Sequence, residues 1–372
     1  MYLVKQIIDA FKTHGFWSIF HKIFRRINTA TKIAFLNVKP QQQHWESIKD
    51  KYKGKRVFVI GNGPSLNKTP LYLLKDEYKI CFNQFFIMRD RINWDPDFFM
   101  TSDGLVMTDI VKDFSKIIPK TTYSFFPGIH FRGDRYIEEV EKYPNGFWTL
   151  PKIGQGFSES LPYIYPGNTV IYDSFQILKH MGFIEIYLIG VDFSFVIQEG
   201  VKQLSKNTLD VISQKDNDPN HFDPRYFGKD KKLHQPESFM VNNMIGDMNY
   251  LAKNITNDDF KIINAGFDSK LEAFPKQDIY SLLDYSEEEQ ENTFKDLFKS
   301  VCQANKLPES TYQNIPHIDS PSISSAVPKS SFSTDLKNGI TLIPKMIFSY
   351  IPLGPFDNKY YFIKRERVQS DA

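Results

Sequence analysis

The chain has only two cysteines in 372 residues, Cys81 and Cys302. Two thiols so far apart exclude a disulfide framework or a cysteine-rich zinc module and fit a reducing compartment. An excess of either charge is also missing. Lys and Arg number 46 against 44 Asp and Glu, so composition gives no ground for a nucleic acid or other polyanionic partner, and any steering must be local. No apolar run reaches the length of a membrane span, and the N-terminus lacks a compact apolar segment followed by a small-residue cleavage site. The expectation is a cytoplasmic protein. Aromatics, by contrast, are plentiful: 33 Phe and 19 Tyr suit a deep core and stacking surfaces for a base or sugar.

The stretch that organises the chain is Arg56 to Leu66, RVFVIGNGPSL. Its apolar run does not alternate, which reads as a buried strand of a parallel sheet. Gly61 and Gly63 can take backbone angles closed to other residues, and Pro64 suits the first position of a helix. Free amides are thereby expected to converge on an anion, with Asn62 and Ser65 beside them. Leu66 occupies the place of the third glycine of a dinucleotide fingerprint, and no lysine follows as in a Walker loop. NAD and a Walker-type ATP site are therefore excluded.

The same pattern recurs. Strand Tyr78–Phe82 ends at Asn83, strand Asp97–Met100 ends at Ser102 and Asp103, and strand Glu185–Val191 ends at Asp192. Polar groups repeated at strand ends describe a ligand crevice along the carboxyl edge of an α/β sheet. Gly167-Asn168-Thr169 caps an apolar helix reaching Met181, giving a second anion site. A helix from about Asn67 to Asp76, another near Met107 to Phe114, one from Ser238 to Lys253 and strands at Thr121–Phe126 and Lys261–Asn264 complete the expected core. Residues 193–240 lack periodicity and read as a long binding loop that can carry His221 over the crevice, where an imidazole accepts a hydroxyl proton.

Four regions follow from composition. Residues 1–50 form a basic amphipathic segment and linker, whose Phe and Ile are interleaved with Lys and Arg and fit either an anionic membrane surface or another protein face. Residues 51–285 form the nucleotide-binding domain, 286–338 a helix and Ser/Pro-rich linker, and 339–372 an accessory tail.

Val57–Leu66 (VFVIGNGPSL), Cys81–Phe85 (CFNQF) and Gly167–Phe193 (GNTVIYDSFQILKHMGFIEIYLIGVDF) together resemble the MptE-like 6-hydroxymethylpterin diphosphokinase superfamily, which also holds motility-associated flagellin glycosylation factors. Asn217–Tyr226 (NDPNHFDPRY) is more distantly similar to the region around the catalytic histidine of bacterial lipooligosaccharide sialyltransferases. The resemblance implies a mostly parallel, Rossmann-like (GT-A-like) sheet flanked by helices. It implies that Gly61, Asn62, Gly63 and Ser65 hold the nucleotide phosphate and ribose, that Asn83 contacts the donor, that Thr169 and Asp192 help frame the pocket, and that His221 is the general base. Pro64, Ser102, Asp103 and Asn168 join the expected nucleotide site by their places in the turn, at a strand end and at the helix start. Those sialyltransferases have tyrosines after the glycine-hydrophobic-Asp-Phe turn that assist the departing phosphate. Here Asp192-Phe193 is followed by Ser194 and Phe195, so Ser194 or Tyr226 must substitute.

The resulting expectation is an inverting, metal-independent glycosyltransferase using a CMP-activated nonulosonate. Its acceptor is a surface glycan, free or lipid-linked, of the lipopolysaccharide or capsule type, met at the inner face of the membrane. No nucleic acid and no resident cofactor are involved. The alternative is a Mg²⁺-dependent diphosphokinase transferring pyrophosphate from ATP to a pterin-like alcohol, with Asp103 and Asp192 as ligands. Asp216-Asn217-Asp218 also spells a metal-binding Asp-x-Asp, but in a polar loop rather than at a strand end.

Overall fold

The computed structural model describes residues 24, 27–92, 94–111, 114–130, 134–204, 210–234, 238–286, 288–289, 292, 351–356 and 359–363. Most of the basic amphipathic segment, the Ser/Pro-rich linker, Cys302 and the basic end of the tail lie outside them. Of the tail, a hairpin of Ile351–Phe356 and Lys359–Ile363 is described, its two strands paired with each other.

Eight strands form one sheet: β1 (Arg56–Ile60), β2 (Lys79–Phe82), β3 (Phe98–Met100), β4 (Tyr123–Pro127), β5 (Gly146–Pro151), β6 (Tyr163–Ile164), β7 (Glu185–Ile189) and β11 (Lys261–Asn264). Their order is β11-β7-β1-β2-β3-β4-β5-β6, and every pairing is parallel. The unalternating apolar run of β1 has its reason here: Val57, Phe58, Val59 and Ile60 are fully buried because both faces of the sheet are covered. The expected mostly parallel α/β architecture is therefore the one found.

Four helices matter for the argument: α1 (Lys39–Glu46), α2 (Gly104–Ile110), α3 (Val170–His180) and α4 (Ser238–Asn254). Helix α1 is anchored through Trp45, which is fully buried. The Trp45 indole N–H donates to the Trp148 carbonyl at 3.1 Å, and its ring lies 4.9 Å from Phe147. Helix α3 starts at the expected cap, with Thr169 Oγ1 accepting from the Ile171 amide at 3.4 Å.

Several expectations need correction. The helix expected over 67–76 is two short 3₁₀ turns, Pro64–Lys68 and Leu71–Leu74. Strands β5 and β6 are additions to the strands expected from sequence, since their burial leaves no alternation to see. The long loop over 193–240 contains a three-stranded antiparallel sheet, β8 (Val201–Gln203), β9 (Asp210–Ser213) and β10 (Lys232–His234), whose strands are too short to register as a period.

The glycines of the first turn are required for a reason other than unusual backbone angles. Gly63 has φ −67°, an ordinary value. A Cβ on Gly61 would lie 2.3 Å from the Gly190 carbonyl oxygen, and one on Gly63 would lie 2.5 Å from the Asp192 carboxyl carbon. Gly61→Ala is expected to cost about 1–3 kcal/mol of overpacking strain. Gly246→Ala, in α4 with nothing within 4 Å of the new methyl, is expected to stabilise by roughly 0.5–1 kcal/mol. Urea unfolding midpoints test the pair, and a Gly61→Ala protein as stable as the wild type would refute the packing account.

Candidate functional site

The sheet order sets the position of the site. Strands β1 to β6 run outward in one direction, then β7 returns to the other side of β1, so connections diverge at the carboxyl ends of β1 and β7. Such a switch point leaves a crevice above the strand ends. Here it has room for about 350 Å³, within the range of small-molecule pockets.

The crevice gathers most of the residues singled out by sequence. Gly61, Asn62 and Gly63 line it from the turn after β1, Asn83 from beyond β2, Ser102 and Asp103 from beyond β3, and Asn168 and Thr169 from the start of α3. Asp192 and Ser194 follow β7, and His221 and Tyr226 come from the strap of chain between β9 and β10. Two of these positions hold non-glycine residues at positive φ, Asn83 at 53° and Phe193 at 51°. Asparagine tolerates that geometry through its short polar side chain, whereas for Phe193 it is strain stored at the crevice wall.

Pro64 and Ser65 are not among the lining residues, and three amides of the turn are engaged within the protein. Gly61 donates to the Ile189 carbonyl and Gly63 to the Gly190 carbonyl, each at 2.8 Å. The Ser65 amide donates to Asp192 Oδ2 at 2.9 Å, and the Ser65 hydroxyl donates to Asp192 Oδ1. The anion attracted to this turn is thus the protein's own carboxylate. Burial pushes the Asp192 carboxyl above its ordinary range, against the pull of the two Ser65 hydrogen bonds.

The strap carries the most complete constellation. His221 Nδ1 lies 2.7 Å from Asp218 Oδ2, with the Asp218 side chain 1% exposed and that of His221 23% exposed. Asp218 is held in turn: Oδ2 accepts from the Phe227 amide at 3.0 Å and Oδ1 from the Asn220 amide at 2.8 Å. A carboxylate only accepts, so Nδ1 carries a proton, and in the neutral ring the lone pair is then on Nε2. The imidazole stacks on Tyr226, centroids 3.9 Å apart and planes within 2°. The Tyr226 hydroxyl is itself engaged below, accepting from Asn62 Nδ2 at 3.1 Å and the Gln84 amide at 3.3 Å, and burial drives its pKa far up. Tyr226 therefore stands as a platform under His221 rather than as a hydroxyl reaching outward.

Sequence reasoning missed the residues behind the wall. Asp247, buried on α4, accepts from the Asn168 amide at 2.9 Å and from Asn168 Nδ2 at 2.6 Å. Asp173 on α3 accepts from the Gly167 amide at 2.8 Å. His130, 3% exposed, lines the crevice beyond β4, with Gly104 leaving the space its ring fills. Asp218 was visible only as half of an Asp-x-Asp, although an acid three residues before a histidine in a turn is a spacing that brings the two together.

Burial raises Asp173 from 3.8 to about 7, helped by the nearby Asp247 charge and opposed by hydrogen bonds from Gly167 and Ser102. Between those two values the folded chain holds a proton that the unfolded chain releases, so this group's contribution to stability falls as pH rises from about 4 through about 7. Asp173→Asn, which keeps the acceptor oxygen, is expected to flatten that decline. Urea midpoints at pH 5 and pH 8 measure it, and equal declines in the two proteins would contradict the assignment.

Residues 32–198 match the family model described as 6-hydroxymethylpterin diphosphokinase MptE-like. No match was found among curated proteins. Among solved structures, the chain is similar to the MAf glycosyltransferase of Magnetospirillum magneticum AMB-1, with 15% identity, 70% of this chain and 41% of that one covered, and a TM-score of 0.38. It thus spans about two-fifths of that protein's length. It is also similar to a variant of the sialyltransferase CST-II in complex with CMP, at 15% identity over 60% of this chain and 86% of that one, with a TM-score of 0.35. A third likeness is to the sialyltransferase CstII from Campylobacter jejuni in complex with a substrate analogue, at 15% identity over 60% and 85% of the two chains, with a TM-score of 0.26. The suspected resemblance to the MptE-like family is therefore shown over residues 32–198.

Proposed function

We propose that the protein is an inverting glycosyltransferase that takes a CMP-activated nonulosonate and attaches it to a hydroxyl of a surface glycan. The observation that carries this reading is the Asp218–His221 pair at the crevice mouth, a base with its free nitrogen set by a buried carboxylate. The family match stops at residue 198, before this strap, so its diphosphokinase description does not cover the base. The start of α3, where Asn168, Thr169, Val170 and Ile171 line the crevice, offers the positive end of an 11-residue helix to an anionic donor.

In this reaction His221 Nε2 removes the proton of the acceptor hydroxyl as that oxygen bonds to the anomeric carbon. The bond from that carbon to the donor phosphate breaks on the opposite face, and CMP leaves with the electron pair. The imidazolium formed is stabilised by Asp218 through Nδ1. Ser194, exposed among the residues lining the crevice, would donate to the departing phosphate in place of the buried Tyr226 hydroxyl. Gly61, Asn62, Gly63 and Asn83 would border the nucleotide, with Asp192 facing its ribose, while Ser102 and Asp103 border the sugar.

The second reading, the magnesium-dependent diphosphokinase, is favoured by the family match and needs Asp103 and Asp192 as ligands. Each oxygen of Asp192 accepts one hydrogen bond from Ser65 and keeps a further lone pair. Asp218 of the Asp-x-Asp, by contrast, is taken up by His221, Asn220 and Phe227.

Two measurements test the reading. Isothermal titration with CMP, CDP, UDP and ATP, each with Mg²⁺ and with EDTA, is expected to show CMP binding unaffected by EDTA and stronger than ATP. Binding of ATP only with Mg²⁺, with CMP silent, would replace the glycosyltransferase by the diphosphokinase. With a CMP-nonulosonate donor, His221→Ala is expected to lower turnover by about 10²–10⁴-fold with CMP affinity intact. Asp218→Asn should lower it about tenfold or more by releasing the tautomer. Full turnover in His221→Ala would reject the assigned base.

A further inference from the structure

The strap bearing His221 is tied to the glycine turn by one residue that neither the sequence pattern nor the crevice lining singles out. Phe222, the next residue after the base, is gripped at both ends of its backbone. Its amide donates to the Asn62 carbonyl at 2.8 Å, and its carbonyl accepts from Asn67 Nδ2 at 2.8 Å. The Phe222 ring is buried in the cluster with Leu66, Phe85 and Tyr226. On the other side of the base, Asn220 holds the backbone of Val196 twice, donating to its carbonyl and accepting from its amide, each at 2.7 Å.

Asn67 makes its bond at a cost. Its Oδ1 is buried with no hydrogen-bond partner. A buried amide half satisfied adds little net stability, and an apolar side chain of the same size would serve packing as well or better. What the amide does hold is the Phe222 carbonyl, in the residue next to His221.

We propose that Asn67 is a positioning residue for His221, locking the base to the nucleotide-binding turn so that donor and base share one frame. The inference rests on His221 being the base of the proposed transfer. The frame is continuous: Asn62, in the same turn, also donates from Nδ2 to the hydroxyl of Tyr226, on whose ring the imidazole stacks.

The test is a double-mutant cycle with a CMP-nonulosonate donor, Asn67→Leu against His221→Ala, read as kcat, CMP affinity and urea midpoint. Asn67→Leu is expected to lower kcat about tenfold while CMP affinity stays within about twofold and stability holds, and to cause no further loss in the His221→Ala background. The His221 imidazole nitrogen resonances, assigned by their loss in His221→Ala, are expected to shift in Asn67→Leu while those of other histidines stay. If Asn67→Leu does not fold, Asn67→Ser gives the same readouts. Wild-type kcat in the Asn67 variant, or the same fold loss in both backgrounds, or an unmoved His221 signal, would overturn the positioning role while leaving the base intact. Full turnover in His221→Ala would instead overturn the functional reading and this inference with it.

Discussion

The approach of two strand ends governs the rest of this molecule. The backbone after β1 and the backbone after β7 run so close that Gly61 and Gly190 face each other with no room for a Cβ on either, the nearest atoms being each other's carbonyl oxygens at 2.3 and 2.7 Å from the ideal Cβ positions. Gly190 also takes φ 62°, which glycine adopts without penalty. Hydrogen bonds from Gly61 to Ile189 and from Gly63 to Gly190 carry the β1–β7 pairing past the last strand residues into the turn. This contact brings Asp192 onto the 3₁₀ turn after Gly63, where it takes the place of an external anion.

From that junction the site is assembled by hydrogen bonds rather than by charge. Among the described residues lining the crevice the basic side chains are His130 and His221, and the carboxylates are Asp103 and Asp192. What the crevice presents is therefore amide and hydroxyl groups and the start of α3. Preorganised dipoles serve charge development well because they are already oriented before a reaction begins. The buried acids behind the wall, Asp173 and Asp247, hold that helix start: each accepts through one oxygen from the backbone of Gly167 or Asn168.

The strap follows the same logic. Asp218 is satisfied by two backbone amides as well as by the imidazole, so it orients His221 without being an unpaired buried charge. Tyr226 supports the ring from below through a hydroxyl fastened to the turn and to the residue after Asn83. Imidazole, tyrosine ring and glycine turn are thus joined by direct contacts.

The residues themselves determined the architecture. An unalternating apolar run before GNGPS reads as a strand buried on both faces, and parallel strands ending in Asn83, Ser102–Asp103 and Asp192 set those groups along one edge. The cap at Thr169 and the crevice position of His221 were legible for the same reason, since both depend on local sequence. What the residues could not show is which polar atoms would spend themselves on one another. Ser65 reads as a phosphate ligand until Asp192, 127 residues away, is folded against it. Tyr226 reads as a reactive hydroxyl until Asn62 and Gln84 cover it, and Asn67 reads as the first residue of a helix until Phe222 arrives. Period and propensity are set by neighbours along the chain, whereas hydrogen-bond satisfaction is set by partners far apart in it, and only the tertiary structure brings those together.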